Sequence, residues 1–232
     1  MRILIATVTA GGGHLAAAAA LAEAWRNARS DDVIETIDLL KLFSPLHRKI
    51  YSDGYVKLVE SAPELWGMVF AKSDNPKLLR RLKLIQRKFP SGSKQRFARH
   101  VKQFKPDAVL CTHYLPLETL TPLREKKGGL RPFVACVVTD FEAHALWMES
   151  CVDLYCVAAE ETKARLVARG ADAKSVIATG IPIASKFSSK PDVKAVRKQY
   201  GLRDDLPVLL VLSGGFGMGP VAEILAELDK TE

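Results

Sequence analysis

Residues 1–25, with the sequence MRILIATVTAGGGHLAAAAALAEAW, decide the fold of this chain. Residues 2–8 form a short apolar run that is typical of a buried strand, and the alanine-rich residues 15–25 favour a helix. Between them, the glycines at 11–13 predict a turn without side chains, which lets the backbone approach a ligand closely. A strand, a glycine turn and a helix together open a parallel α/β unit.

His14 follows the last of these glycines, where a helix N-terminus offers unpaired N–H groups and a partial positive charge. Open α/β sheets bind ligands in the crevice at the carboxyl ends of their strands, so His14 is a candidate functional residue. A structural helix cap is the alternative. The glycine spacing matches neither the dinucleotide-binding pattern G-x-G-x-x-G nor the phosphate-binding P-loop.

Five further apolar runs predict strands, and helical stretches such as residues 160–169 lie between them. Strands that alternate with helices predict an α/β fold with a Rossmann-like, doubly wound parallel sheet. The runs begin near residues 33, 106, 132, 154 and 175.

Polar residues cluster where the predicted strands end, at Thr112–His113 and again at Thr139–Asp140, with His144 and Trp147 shortly after. Because parallel strands bring their carboxyl ends to one edge of the sheet, we expect these residues to lie near His14. A strand cap at His113 and a helix N-cap at Asp140 are the alternatives. The spacings do not specify a metal.

The end of the sequence repeats the opening pattern. Residues 185–205 are polar and predict a linker with a short helix at 193–200. The apolar run LPVLLVL at 206–212 predicts a further buried strand. The glycine loop SGGFGMGP at 213–220 then leads into a predicted helix at 221–228. We therefore expect an N-terminal domain over 1–184, a linker over 185–205 and the incomplete start of a second domain over 206–232.

The formal net charge of +8 is concentrated in residues 41–105, which hold sixteen Lys and Arg against four Asp and Glu. Within this basic amphipathic region, residues 77–89 place apolar side chains on one helical face with cations around it, as in helices that lie in a membrane interface. An ordinary surface helix and a nucleic-acid-binding surface are the alternatives, although no RNP-like or helix-turn-helix pattern is present. The cations expected to contact anionic lipid are Lys77, Arg80, Arg81, Arg87 and Lys88.

Composition narrows the class of protein further. A hydrophobic content of 48% supports a sizeable core, and the four cysteines show no metal-ligand spacing and predict buried thiols in a reduced, cytoplasmic protein. The N-terminus does not resemble a signal peptide, and no uninterrupted apolar run reaches the ~18 residues of a membrane-spanning helix.

Four motifs together resemble the family of monogalactosyldiacylglycerol synthases and processive diacylglycerol glucosyltransferases, which are GT-B glycosyltransferases. The motifs are GGGH at 11–14 with its alanine-rich helix, VTD at 138–140 with the residues that follow it, TGIP at 179–182 at the exit of a predicted strand and the glycine loop at 213–220. The resemblance covers the family's N-terminal domain and the start of its C-terminal domain.

The resemblance implies transfer of a hexose from a UDP-sugar to diacylglycerol with inversion, His14 being the general base. It implies no resident cofactor and no required metal. It also implies an acceptor site lined by Gly11, Gly12, Gly13, His113, Asp140, His144 and Trp147. In the second domain, the donor diphosphate would be held by Ser213, Gly214, Gly215, Gly217 and Gly219.

The implied partners are diacylglycerol, an anionic membrane and, through a completed C-terminal domain, a UDP-sugar, with no nucleic acid among them. The implied location is cytoplasmic, peripheral on the inner face of the cell membrane. Because most of the donor domain is missing, we expect this chain alone to be an inactive fragment or one half of a split enzyme. A non-catalytic membrane-binding domain is the alternative.

Overall fold

The computed structural model describes most of the chain, in two compact units that comprise residues 1–183 and 184–232. No helix in the described residues is both long and apolar enough to cross a membrane. The described residues are 1–9, 11–45, 48–49, 62, 64, 67–68, 74–75, 92–213 and 219–230.

The first unit is built on a six-stranded, all-parallel sheet. Its strands are β1 (Arg2–Thr7), β2 (Val33–Asp38), β3 (Ala108–Cys111), β4 (Phe133–Val137), β5 (Leu154–Val157) and β6 (Val176–Ala178). They pair in the order β2-β1-β3-β4-β5-β6. The chain order reverses between β1 and β3, and this is where open parallel sheets form a crevice at their carboxyl ends. The predicted parallel sheet is confirmed.

Helices cover both faces of this sheet. They are α1 (Gly12–Ala28), α2 (Gly92–Phe104), α3 (Tyr114–Glu125) and α4 (Glu160–Ala168), with 3-10 turns at Leu39–Leu42, Ala145–Trp147 and Ala173–Ser175. Alternate side chains of a strand point to opposite faces, so Ile3 and Ile5 pack with Ala18 of α1. Leu4 belongs to the other core cluster, together with Phe97 of α2. The doubly wound arrangement is therefore confirmed.

The glycine turn is shorter than predicted, because α1 begins at Gly12 rather than at residue 15. Gly11 has a φ of 147° and is the one glycine of the three with a conformation that disfavours side chains. The first N–H groups of a helix have no intrahelical partner, and the alanine run behind them is a strong helix former. The helix that the alanines stabilise therefore extends back over Gly12 and Gly13, and the first turn of α1 contains both glycines and His14.

The second unit contains a 3-10 turn at Ser185–Phe187 and two helices, α5 (Val193–Gln199) and α6 (Val221–Leu228). Both helices were predicted, but the predicted buried strand at 206–212 is wrong. Those residues pair with no strand in the described part of the chain, and the side chains of Leu209, Leu210 and Leu212 are exposed. A strand becomes buried only where a neighbouring strand takes its backbone hydrogen bonds and another layer covers its apolar face.

Some predictions fall on parts of the chain that the structure does not describe. Lys77, Arg80, Arg81, Arg87 and Lys88 lie outside the described residues, as do Gly214, Gly215 and Gly217. The division into two domains with a linker over 185–205 stays a prediction.

The predicted burial of the cysteines is confirmed for three of them. Cys111, Cys136 and Cys151 are buried free thiols, and Cys156 is half-buried. Burial raises the pKa of Cys151 to about 11.

Candidate active site

The candidate site lies at the carboxyl ends of β1, β3 and β4, beside the point where the strand order reverses. The first turn of α1 places His14 there. Because β3 ends at Cys111 and β4 ends at Val137, Thr112 and Thr139 stand just beyond the edge of the sheet. The sheet topology thus brings together residues that are more than a hundred positions apart in sequence.

The ring of His14 is fixed through one of its nitrogens. Its Nδ1 lies 2.9 Å from the carbonyl oxygen of Thr112 and 2.8 Å from Oγ1 of Thr139. The ring is half-buried, so it is held at the surface of the first unit and not enclosed in the core.

The backbone of His14 is fixed as well. Its carbonyl oxygen lies 3.2 Å from the hydroxyl of Thr7 and 3.0 Å from the hydroxyl of Thr112, and the two hydroxyls are 2.9 Å apart. Thr7 is buried at the end of β1 and Thr112 is buried after β3. The first turn of α1 is therefore tied to both strands at the reversal point.

Two aromatic rings lie close to the ring of His14. The ring centroid of His113 is 4.7 Å from that of His14, in an edge-to-face arrangement, and the ring centroid of Trp147 is 6.2 Å from it. Tyr114 stacks on His113 at 4.3 Å. The expectation that His14, His113 and Trp147 lie close together is confirmed. Sequence reasoning missed Tyr114, whose position next to His113 at the start of a helix was the available signal.

His113 is an uncharged side chain that caps α3. Its Nδ1 accepts a hydrogen bond of 3.0 Å from the backbone N–H of Leu115, and the residue is 3% exposed. Burial, with a smaller contribution from neighbouring His14, lowers the pKa of His113 to about 3. The alternative of a strand cap at His113 thus holds in a modified form, because His113 caps the helix that follows β3.

The N-cap of the turn that follows β4 is His144 and not Asp140, although aspartate is the more usual N-cap residue. The N-cap alternative for Asp140 is wrong, because its carboxylate accepts a hydrogen bond of 3.0 Å from the indole N–H of Trp147. The cap of the 3-10 turn Ala145–Trp147 is instead His144, whose Nδ1 accepts from the N–H of Leu146 at 3.0 Å. Asp140 therefore fixes the Trp147 ring, and His144 fixes the turn that carries it.

Asp74 also supports this turn, and sequence reasoning missed it. Its carboxylate accepts a 2.7 Å hydrogen bond from the N–H of Ala145 and pairs with the guanidinium of Arg169. Burial opposes ionisation, but the hydrogen bonds from Arg169 and Ala145 hold the pKa of Asp74 below its usual value. The available signal was weak, because Asp74 is one of four acidic residues in the basic region 41–105.

The described residues leave the backbone at Gly11 and Gly13 uncovered. A Cβ added to either glycine would meet no atom of these residues within 4 Å, so they leave room for a ligand to approach the backbone there. Among the residues that the structure describes, no three His, Cys, Asp or Glu side chains converge in a way that could hold a metal ion.

The chain is 29% identical over 228 residues to processive diacylglycerol beta-glucosyltransferases of Bacillus mycoides (strain KBAB4) and Bacillus cereus (strain B4264). Each alignment covers 96% of this chain and 56% of the relative, so the chain spans about half the length of the curated relatives it matches.

Two solved structures are similar to part of this chain. The apo form of the lipopolysaccharide outer core galactosyltransferase WaaB has a TM-score of 0.46 at 16% identity, over 78% of this chain and 45% of that chain. Anabaena Alr3699/HepE in complex with UDP-glucose has a TM-score of 0.45 at 10% identity, over 87% of this chain and 50% of that chain.

The family match coincides with the first unit. A family model described as monogalactosyldiacylglycerol (MGDG) synthase matches residues 14–183, from His14 in the first turn of α1 to the end of that unit. Since this match covers well over half of the chain, the protein belongs to the monogalactosyldiacylglycerol synthase family.

Proposed function

We propose that this chain forms the acceptor-binding part of a glycosyltransferase that moves a hexose from a UDP-sugar to diacylglycerol. The observation that carries the proposal is His14, a half-buried imidazole fixed at the strand reversal point of a chain from this family. The names of the Bacillus relatives, which are diacylglycerol glucosyltransferases, support the choice of acceptor.

His14 would act as the general base. It takes the proton from the hydroxyl of diacylglycerol while that oxygen attacks the anomeric carbon of the sugar. The bond from the anomeric carbon to the diphosphate breaks, and its electron pair leaves with the diphosphate oxygen of UDP. Attack from the side opposite to the leaving group inverts the anomeric configuration.

The neighbourhood of His14 suits this step, because a neutral ring stands beside the base. His113 lies 4.7 Å away and its pKa is lowered to about 3, so it carries no charge near neutral pH. When His14 accepts a proton, it therefore meets no like charge on its nearest aromatic neighbour.

The remaining parts of the proposal rest on sequence. Backbone N–H groups of the loop containing Ser213, Gly214, Gly215, Gly217 and Gly219 would hold the donor diphosphate. The reaction then needs no resident cofactor. The basic region 41–105 would dock the protein on the inner face of the cell membrane.

The test of catalysis uses a fusion of residues 1–205 to the donor half of the Bacillus cereus relative, beside the 232-residue chain itself. With diacylglycerol vesicles and UDP-glucose or UDP-galactose, we expect glycolipid from the fusion and none from the chain alone. His14→Gln should lower kcat by about a hundred-fold or more, since a general base contributes roughly 10² to 10⁴. His100→Gln on α2 is the matched control and should keep activity.

Two results would contradict the proposal. One is a folded fusion that binds UDP normally and makes no glycolipid. The other is a His14→Gln variant whose kcat stays within a few-fold of the parent, which would show that His14 is not the base.

Membrane docking is tested on the 232-residue chain by flotation with vesicles of phosphatidylcholine alone or mixed with phosphatidylglycerol. We expect binding only to the anionic vesicles, and less of it when Lys77, Arg80, Arg81, Arg87 and Lys88 are changed to Gln. A control set of exposed cations from other regions should leave it intact, namely Lys174, Lys186, Lys190, Lys194 and Lys198. Equal flotation of both variants would refute docking by residues 77–89, and salt-sensitive binding to DNA or RNA in place of vesicles would favour a nucleic-acid-binding module.

A further inference from the structure

Both oxygens that contact Nδ1 of His14 bear on the position of the ring's proton. The carbonyl oxygen of Thr112, at 2.9 Å, carries no hydrogen and can only accept. A lone pair on Nδ1 would therefore face another lone pair. The contact is favourable only if Nδ1 carries the proton, and the hydroxyl oxygen of Thr139, at 2.8 Å, then accepts from the same N–H.

We propose that His14 is held as the Nδ1–H tautomer, which leaves the lone pair of Nε2 free to act as the base, and that Thr139 is a positioning residue for it. This inference rests on the proposed function for its catalytic consequence, but the tautomer itself is a property of the chain. The partner of one ring nitrogen determines which form of a histidine is present and where its other nitrogen points.

The role of Thr139 follows from what changes during the reaction. When Nε2 takes a proton, the ring becomes positively charged and Nδ1–H becomes a stronger donor. Its hydrogen bonds to the Thr112 carbonyl and the Thr139 hydroxyl then strengthen, so both oxygens stabilise the charged ring more than the neutral one. The carboxylate next in sequence, Asp140, is instead bonded to the indole of Trp147.

Two other histidines provide internal references of the opposite kind. His113 accepts a hydrogen bond on Nδ1 from the N–H of Leu115, and His144 does so from the N–H of Leu146. A nitrogen that accepts cannot carry the proton, so both rings must be Nε2–H tautomers. Three of the five histidines of the chain are thus assigned, and His14 differs from the other two.

The first experiment measures the imidazole ¹⁵N chemical shifts of the 232-residue chain by NMR near neutral pH, with His14 assigned through the His14→Gln variant. We expect protonated Nδ1 at His14 and protonated Nε2 at His113 and His144. Protonated Nε2 at His14 would overturn the proposal. Neither outcome depends on whether the protein is a glycosyltransferase.

The second experiment measures kinetics in the active fusion described above. Thr139→Val keeps the shape of the side chain but removes the hydroxyl, and we expect kcat to fall about three- to ten-fold with the KM for the UDP-sugar unchanged. Thr139→Ser should restore kcat. Thr119→Val is the matched control and should not change kcat, because the buried Thr119 hydroxyl on α3 has no hydrogen-bond partner among the described residues.

Two kinetic results would refute the positioning role. One is an unchanged kcat in Thr139→Val, and the other is a Thr139→Ser variant as slow as Thr139→Val. If Thr139→Val does not fold, Thr139→Ala, which also removes the hydroxyl, takes its place in both comparisons, with the same expected fall in kcat. An inactive parent fusion with the expected tautomers would count against the proposed function but not against the assignment of Nδ1–H.

Discussion

Acidification should destabilise this protein through His113. The ring is 3% exposed and its pKa is lowered to about 3 by burial and by His14, whereas in the unfolded chain its pKa is near the ordinary value of 6.5. Between these two values the unfolded chain binds more protons than the folded protein. Stability therefore rises with pH across this window and falls as the pH is lowered through 6.5.

The magnitude follows from the two pKa values. At pH 7 most unfolded chains carry a neutral His113, whereas at pH 5 nearly all carry it charged. The contribution of this one group to the free energy of unfolding should therefore fall by about 2 kcal/mol between pH 7 and pH 5. Any folded-state pKa below about 4 gives nearly the same result, because the folded protein then stays neutral at pH 5.

The assay is urea unfolding of the wild type and His113→Asn at pH 7, 6 and 5. Asparagine is a good N-cap and can still accept from the N–H of Leu115, so the variant removes the titrating ring and keeps the cap. We expect the wild type to lose about 2 kcal/mol more than the variant between pH 7 and pH 5. Equal losses in the two proteins would refute the reasoning, since His113 would then titrate in the folded state as it does in the unfolded chain.

Two further predictions concern the supports of the site, both measured by thermal unfolding. Gly11→Ala should cost about 1 kcal/mol or more because φ is 147° there. The matched Gly13→Ala should be neutral or stabilise by up to about 1 kcal/mol, because Gly13 lies in α1 and its Cβ would meet no atom of the described residues. Equal effects of the two substitutions would refute this difference. Asp74→Asn should cost about 1 kcal/mol, and much less once Arg169 is changed to Gln; additive losses in that double-mutant cycle would show that the pair is not coupled.

The sequence predicts the sheet well because fully buried parallel strands are encoded locally. Residues 108–111, the whole of β3, are apolar and buried, and such a run can be recognised without knowledge of its neighbours. The grouping of His14 with His113 and Trp147 was predictable for a related reason, because parallel strands deliver their carboxyl ends to one edge.

Other features depend on partners that a local pattern does not show. The run LPVLLVL at 206–212 is as apolar as β3 apart from its proline, yet it pairs with no strand in the described residues and its leucines are exposed. The support of Ala145 by Asp74 is equally invisible, because the two residues are 71 positions apart and an isolated aspartate in a basic region is an ordinary solvated charge. Pairing and burial are properties of the fold as a whole, and they decide both cases.

The tautomer of His14 illustrates how topology can determine chemistry. A histidine in the first turn of a helix after β1 could point in several directions, and the GGGH motif specifies none of them. The sheet order places β3 beside β1 and β4 beside β3, which brings the carbonyl of Thr112 and the hydroxyl of Thr139 to the same ring nitrogen. A strand order that separated β1 from β3 would remove the carbonyl acceptor and with it the reason for Nδ1 to carry the proton. The direction in which His14 offers its lone pair is therefore a consequence of strand order, and the ¹⁵N shift of that ring measures it directly.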